Sequence, residues 1–254
     1  MKSINLHIIA DKTKKAEKVR QSLIKSHSNS TPAACDYIVV IGGDGFMLHS
    51  LKKLQKYNKP FYGVNTGNRG FLLNKHGAGN IISKIKKSSS ISLYPLEAKI
   101  KTANATKKII AINEVSIFRH SKQTTKLEIQ LDKKKRIKEL VGDGVLVATP
   151  AGSTAYNLSA HGPILPIEAS LLALTPISAF RPRRWRGALL PERADVKIEA
   201  LEAEKRPISA GADHAELRNI AEVQIKQDKS RQLLMLFDAD HSLDERILNE
   251  QFTP

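Results

Sequence analysis

The chain is poor in four things, and each shortage excludes a class of protein. It has one cysteine, Cys35, in 254 residues. That excludes a disulfide framework and any cysteine metal cluster. No uncharged apolar run reaches the ~18–20 residues that a membrane span needs. The opening run Ile4–Ala10 follows a lone Lys2, is brief and precedes no small-residue cleavage site. A secretory signal is therefore not expected, and a cytoplasmic location is. Acidic residues are scarce, 25 against 41 Lys and Arg, which gives a net charge of +16. Such an excess suggests polyanionic partners: nucleic acid, nucleotides or an acidic membrane face. Aromatics are only 5%, and the basic residues are spread along the chain. A nucleic-acid binder would gather them on one element with aromatics between.

What is present falls into two patterns. Up to about residue 90, strand-like and helix-like stretches alternate. Ile4–Ala10 is a short apolar run. Lys14–Ser26 then sets Ala16, Val19 and Leu23 on one helical face. Tyr37–Ile41 reads as a strand covered on both faces. Phe46–Lys56 reads as a helix with Met47, Leu51 and Leu54 inward, and Phe61–Val64 as another strand. This alternation predicts a parallel α/β layer. From Ile91 to about Phe237 short β-rich runs dominate, among them Lys108–Phe118, Gly144–Ala148 and Leu233–Phe237. In Thr125–Leu131 the residues Leu127, Ile129 and Leu131 alternate with polar ones, as in an antiparallel strand with one wet face. The expected division is an α/β domain over 1–98, rejoined by 239–254, and a β domain over 99–238. Leu243–Asn249 is expected to form a short helix packing back on the first domain.

Two segments carry chemistry. Gly42-Gly43-Asp44-Gly45 lies between a buried strand and a helix. Glycines there let the backbone turn tightly and approach a ligand, and the helix start offers a positive dipole end to a phosphate. The spacing matches neither the Walker A pattern nor G-x-G-x-x-G. Asp44 is the unusual member, because a carboxylate beside phosphates is repulsive unless it holds a metal or accepts a proton. The plainer alternative is a glycine-rich turn with Asp44 as helix N-cap. The second segment, Gly142–Pro166, reads GDGVLVATPAGSTAYNLSAHGPILP. A strand ends there in a turn of small hydroxyl residues, Gly and Pro. Such a turn presents hydroxyls and backbone N–H groups to a polar ligand, and Tyr156 adds an aromatic face.

Together with Asn65–Leu72 and the pair Asn113-Glu114, these segments resemble the NAD kinase family. The order and spacing match, and Ser178–Trp185 resembles the alphaproteobacterial type. The Gly-Gly-Asp-Gly loop alone would also admit lipid kinases and phosphofructokinases. The resemblance implies a Rossmann-like α/β domain, a β-sandwich domain and a site in the cleft between them. It implies transfer of the γ-phosphoryl group of ATP to the 2′-hydroxyl of the adenosine ribose of NAD, with a divalent metal such as Mg²⁺ carried on ATP. Position by position, Asp44 takes the proton, and Gly42, Gly43 and Gly45 form the phosphate loop. His49, at i+4 from Gly45, either touches a phosphate there or is a solvated helix residue. Phe71 is an apolar wall. Asn113 and Glu114 hold the ribose and diphosphate end of NAD, and Asp143 lies near the nicotinamide. Thr154, Ala155, Tyr156, Asn157, Leu158 and Ser159 contact the adenine part, Ala151 belongs to the NAD-binding set, and Asp213 and His214 line the site late in the chain. A homodimer or homotetramer is implied, with no membrane and no nucleic-acid partner.

The sequence departs from the family pattern in places. Ala148 and Ala151 stand where Ser and Thr are common, and His161 where Gly is common. The histidines show no metal-ligand spacing. Lys133–Arg136 reads as a solvated hairpin turn. Arg181, Arg183, Arg184 and Arg186 around Trp185 read as a subunit interface or a substrate rim. A related kinase on a lipid or another hydroxyl acceptor, and a basic nucleic-acid-binding protein, are the alternative functions.

Overall fold

The computed structural model describes residues 4–67, 70–77, 79–102, 105–239 and 252. The expected helix Leu243–Asn249 and the pair Asn68-Arg69 lie outside the described residues. The chain divides into two units. The first takes the described residues up to Leu93 and from Arg231 on, and the second runs from Tyr94 to Ser230.

In the first unit, β1 (Leu6–Ala10), α1 (Lys14–Ser26), β2 (Tyr37–Gly42), α2 (Asp44–Leu54) and β3 (Phe61–Asn65) alternate as the apolar periodicity predicts. β1, β2 and β3 run parallel in that order. Ile38, Val39, Val40 and Ile41 are all fully buried, as the unbroken apolar run requires of a strand covered on both faces. Thr13 caps α1 by accepting from Ala16 N at 3.2 Å, a contact worth about 1 kcal/mol. Ala16, Val19 and Leu23 then pack on Ile8, Val39 and Ile41. β1 is an edge strand, and the Asn29 side chain covers part of that edge by accepting from Ile8 N at 2.8 Å.

The strand Leu233–Phe237 departs from expectation. Its position in the chain placed it with the β-rich half. It pairs instead with β3, in parallel, and on its other side with Ser89–Leu93, antiparallel. Buried side chains anchor it there. Asn74 donates to Leu236 O at 3.0 Å and accepts from Asp238 N at 2.9 Å. The Tyr62 hydroxyl donates to Asp238 Oδ1 at 2.6 Å.

The second unit is two six-stranded antiparallel sheets. One runs Lys134–Gly142, Thr125–Leu131, Val196–Ala200, Ile220–Gln227, Leu96–Thr102, Thr106–Ala111. The other runs Ala188–Pro191, Leu171–Ile177, Gly144–Ala148, Glu114–Arg119, Ile208–Ala212, Ala215–Arg218. A single core joins Leu127 and Ile129 of the first sheet to Ile117, Val145 and Ala210 of the second, which makes a β-sandwich. Asp132 and Lys133, both at positive φ, turn the hairpin between Thr125–Leu131 and Lys134–Gly142. The expected continuous run Lys108–Phe118 breaks at Ile112-Asn113, where the chain passes from one sheet to the other. That crossing places Asn113 at the start of a central strand.

Candidate active site

Two of the four motif segments meet in the first unit. β2 ends at Gly42 and α2 starts at Asp44, with Gly43 as N-cap. The turn is close-packed on one side only. A Cβ on Gly42 would sit 3.0 Å from the Phe46 ring, whereas a Cβ on Gly43 would enter open space. No described neighbour lies within 4 Å of that position. Asp44 is not the N-cap. It is the first helical residue, and its carboxylate reaches across to accept from Phe71 N at 2.7 Å and from Leu72 N at 2.9 Å. Charge-assisted bonds of this type are about twice as strong as neutral ones. They tie the second motif to the first. Gly70 lets that segment come close, since a Cβ there would lie 3.3 Å from Asp44 Oδ1. Thr66 N adds a bond to Gly42 O at 2.9 Å. Phe71 is half-buried beside the carboxylate, whereas His49 is exposed one turn further along α2.

The other two motifs, and the pair Asp213-His214, lie in the second unit. Asp213, at φ 50°, accepts from Ile112 N and from Asn113 N, both at 2.9 Å. It therefore holds the sheet-to-sheet crossing in place. The sequence expectation had Asp213 lining the site with His214. His214 is exposed, but both Asp213 oxygens are engaged on backbone. The Asn113 Oδ1 atom is buried and has no hydrogen-bond partner among the described residues, a state that costs about 1–3 kcal/mol unless something satisfies it. Glu114 is buried beside it.

The long motif folds on itself through its hydroxyls. Thr149 donates to Ile112 O at 2.8 Å and accepts from Gly152 N at 3.1 Å. Ser153 donates to Pro150 O at 2.7 Å and accepts from Leu165 N at 3.0 Å. Asn157 is fully buried, donates to Ser153 O and Pro163 O, and accepts from the Thr175 hydroxyl at 2.6 Å. This corrects the expectation for Asn157, whose side chain is spent on the loop and not offered outward. It also corrects that expectation for two of the turn's hydroxyls, because Thr149 and Ser153 face inward. The glycines fit this close packing. A Cβ on Gly152 would lie 2.2 Å from Asn113 O, and one on Gly162 would lie 2.1 Å from Asn157 Oδ1. His161 adopts φ 60° in the left-handed region.

Around this frame Ala151, Thr154, Ala155 and Leu158 are half-buried, and Tyr156 and Ser159 are exposed. Burial pushes the Tyr156 hydroxyl above its usual value, and the Asp143 and Glu114 carboxylates push it the same way. These three side chains thus face common ground. Asp143 itself accepts from Arg119 Nε at 2.6 Å. Sequence reasoning missed Arg119 and Thr175. A hydroxyl inside the apolar strand LLALTPI was the available signal for Thr175; nothing pointed to Arg119.

Comparison with known proteins bears on both units. Residues 3–87 match the ATP-NAD kinase N-terminal domain, and residues 112–231 match the ATP-NAD kinase C-terminal domain. The chain belongs to the NAD kinase family. An NAD kinase of Rhizobium meliloti is 48% identical over 250 residues, covering 98% of this chain and 97% of its own. One from Caulobacter vibrioides is 51% identical over 239 residues, covering 94% and 92%. Two solved kinases share the fold at 20% identity. A yeast NADH kinase complexed with NADH has a TM-score of 0.82 and covers 98% of this chain and 87% of its own. An NAD kinase from Archaeoglobus fulgidus in complex with ATP has a TM-score of 0.76, covering 97% and 98%. No helix among the described residues of this family member is long and apolar enough to cross a membrane.

Proposed function

We propose that this chain transfers the γ-phosphoryl group of ATP to the 2′-hydroxyl of the adenosine ribose of NAD, giving NADP, with Asp44 accepting the hydroxyl proton. The observation that carries the assignment to Asp44 is its placement. It stands at the mouth of α2, next to the open space at Gly43, with its carboxylate fixed by the Phe71 and Leu72 amides. Phosphoryl transfer needs positioning and charge neutralisation more than covalent help. A ribose hydroxyl is a poor acid, so a fixed carboxylate contributes typically ~10²–10⁴-fold as a general base. The α2 dipole favours negative charge at the glycine loop. In the second unit, Asn113 and Glu114 take the ribose and diphosphate end of NAD. Thr154, Tyr156 and Ser159 receive the adenine part.

No three His, Cys, Asp or Glu side chains gather into a cage for a metal ion among the described residues. In this reading Mg²⁺ enters on the ATP triphosphate, where it offsets phosphate charge, and the protein's own residues bind and orient. Self-association belongs to the same reading. Phe180 and Leu189 are exposed at 54% and 52%, and Arg181 and Arg183 lie over the Phe180 ring at 5.6 and 5.9 Å. Apolar and arginine surface together is what subunit interfaces enrich.

The test is direct. Purified protein incubated with ATP, Mg²⁺ and NAD should yield NADP, and the product should carry the new phosphate on the 2′-oxygen. No product, with a diacylglycerol or another alcohol phosphorylated instead, would transfer the loop to a different acceptor.

A further inference from the structure

The strand Leu171–Ile177 is an inner one, lying between Ala188–Pro191 and Gly144–Ala148. Its side chains alternate between two layers. Leu172 and Leu174 enter the sandwich core. Ala173 and Ile177 turn the other way and pack with Leu146, Ala148 and Leu165. Thr175 shares this second face by the same alternation, and it is only 1% exposed. A hydroxyl in an apolar layer is costly unless it is hydrogen-bonded. Its partner is Asn157, in the four-residue helix Tyr156–Ser159. The direction of that bond follows from the amide. The Asn157 nitrogen carries two hydrogens, and they go to Ser153 O at 3.2 Å and Pro163 O at 2.8 Å. Asn157 Oδ1 therefore faces Thr175 as an acceptor, and the hydroxyl donates to it at 2.6 Å. Gly162 closes over the pair, since a Cβ there would lie 2.6 Å from Thr175 Oγ1.

We propose that Thr175 is a positioning residue for NAD: through Asn157 it fixes the helical turn that carries Tyr156 and Ser159. A single turn of helix does not hold itself together in water. This one is anchored from within. Asn157 is buried, while Tyr156 and Ser159 on either side of it are exposed. The place of the two exposed groups is thus set by what holds the buried one. Thr149 and Ser153 tie their parts of the loop to backbone atoms, whereas Asn157 is tied to a side chain on a separate strand. That tie can be cut without touching the loop itself. The proposal rests on the reading that Thr154, Tyr156 and Ser159 receive the adenine part of NAD, and it adds a residue that touches no substrate.

A series at position 175 of the full chain tests this by steady-state kinetics. Thr175→Val keeps the branched shape and removes the donor, which leaves Asn157 Oδ1 buried without one. KM for NAD should rise about tenfold, with kcat nearly intact and KM for ATP unchanged. Thr175→Ser keeps the hydroxyl and should restore KM. Thr175→Cys, a weak donor, should fall between the two. A role in stability alone would lower the melting temperature and the amount of active enzyme and leave KM for NAD where it was. That outcome overturns the proposal, as does a Thr175→Ser variant as poor as Thr175→Val. If Thr175→Val does not fold, Thr175→Ser and Thr175→Cys carry the same comparison. Hydrogen exchange without substrate gives a second readout. The amides of Ala160, His161 and Gly162, which bond within the loop, should exchange faster in Thr175→Val or Thr175→Cys, while those of Gly144–Ala148 keep their protection. Unchanged exchange in the loop also overturns the proposal. Absence of NADP with the wild type would instead overturn the NAD kinase reading, so the two failures are distinguishable.

Discussion

Two aspartates, one in each unit, make the same pair of bonds. Asp44 accepts from the consecutive amides of Phe71 and Leu72, and Asp213 from those of Ile112 and Asn113. As loop clamps they are equivalent. Their surroundings differ. Asp44 opens a helix next to the space left by Gly43, whereas Asp213 sits in a left-handed turn and holds the strand start that carries Asn113 and Glu114. A clamp and a reacting carboxylate thus look alike in their bonds and part company in what lies beside them. Asp213 is the internal control for Asp44.

The largest expected effect breaks that equivalence. Asp44→Asn should lower kcat by about 10²–10⁴-fold with NAD binding kept. Both variants exchange one acceptor oxygen for an amide nitrogen, so both lose about the same clamp. If Asp44→Asn costs no more than Asp213→Asn in steady-state assays, Asp44 is a clamp alone and the base role fails.

The next effect is on stability, and it separates the ways the two loops are packed. Gly43→Ala in the first unit places its Cβ in open space, so the fold should hardly notice it. Gly152→Ala in the second drives a Cβ to 2.2 Å from Asn113 O. That is backbone, which cannot rotate away, and overpacking of this sort costs typically about 1–3 kcal/mol or more. Thermal melts should show a fall for Gly152→Ala and little change for Gly43→Ala. Activity should show the reverse for Gly43→Ala, a raised KM for a nucleotide without loss of fold. An equal drop in melting temperature for both would mean the first loop is as closed as the second.

Asp213→Asn is smaller. It leaves one amide of the crossing poorly paired, a cost of about 1 kcal/mol. Asn113 and Glu114 then lose their fixed position, so KM for NAD should rise several-fold with kcat nearly intact. A kcat loss with unchanged KM would place Asp213 among the reacting groups.

The contrast between the units also explains what could be read without a structure. The first unit was legible as a whole because its neighbours in sequence are neighbours in space: β1, α1, β2, α2 and β3 follow one another and pair in order. The glycine loop announced itself for the same reason. The second unit hid its connections. Asp213 reaches amides 101 and 100 residues away, and no local pattern encodes such a bond. In Lys108–Phe118 the polar pair Asn113-Glu114 follows the apolar run Ile109–Ile112 and marks the break, but a polar pair alone does not say that the chain changes sheets there. Leu233–Phe237 reads equally well as a strand of either unit, and only the buried Asn74 and Tyr62 contacts decide which. Asn157 was found as part of a motif and misread in direction, because a buried amide and an exposed one have the same letter. The net charge of +16 pointed to anions without saying where they bind.

The smallest effect concerns Tyr156, an exposed member of the second unit's set. Its relative exposure is 37%, yet burial of the rest, with Asp143 and Glu114 adding, raises its hydroxyl above the usual phenol value of 10.0. A raised value means that the folded chain resists losing this proton while the unfolded chain gives it up first. Stability is therefore unaffected below pH 10 and declines as pH rises through and beyond it. Tyr156→Phe removes this one titration and keeps the ring. Melts taken from about pH 8 to about pH 11 should run parallel for the two proteins at first. They should then diverge, with the wild type falling faster. The gap should be slight, because water reaches part of the side chain. Activity between about pH 6 and pH 9 should respond to the loss of a hydroxyl contact but not change its pH profile, since the phenol stays protonated there. A variant that melts in step with the wild type at every pH would mean that neither burial nor the Asp143 and Glu114 carboxylates raise the Tyr156 hydroxyl.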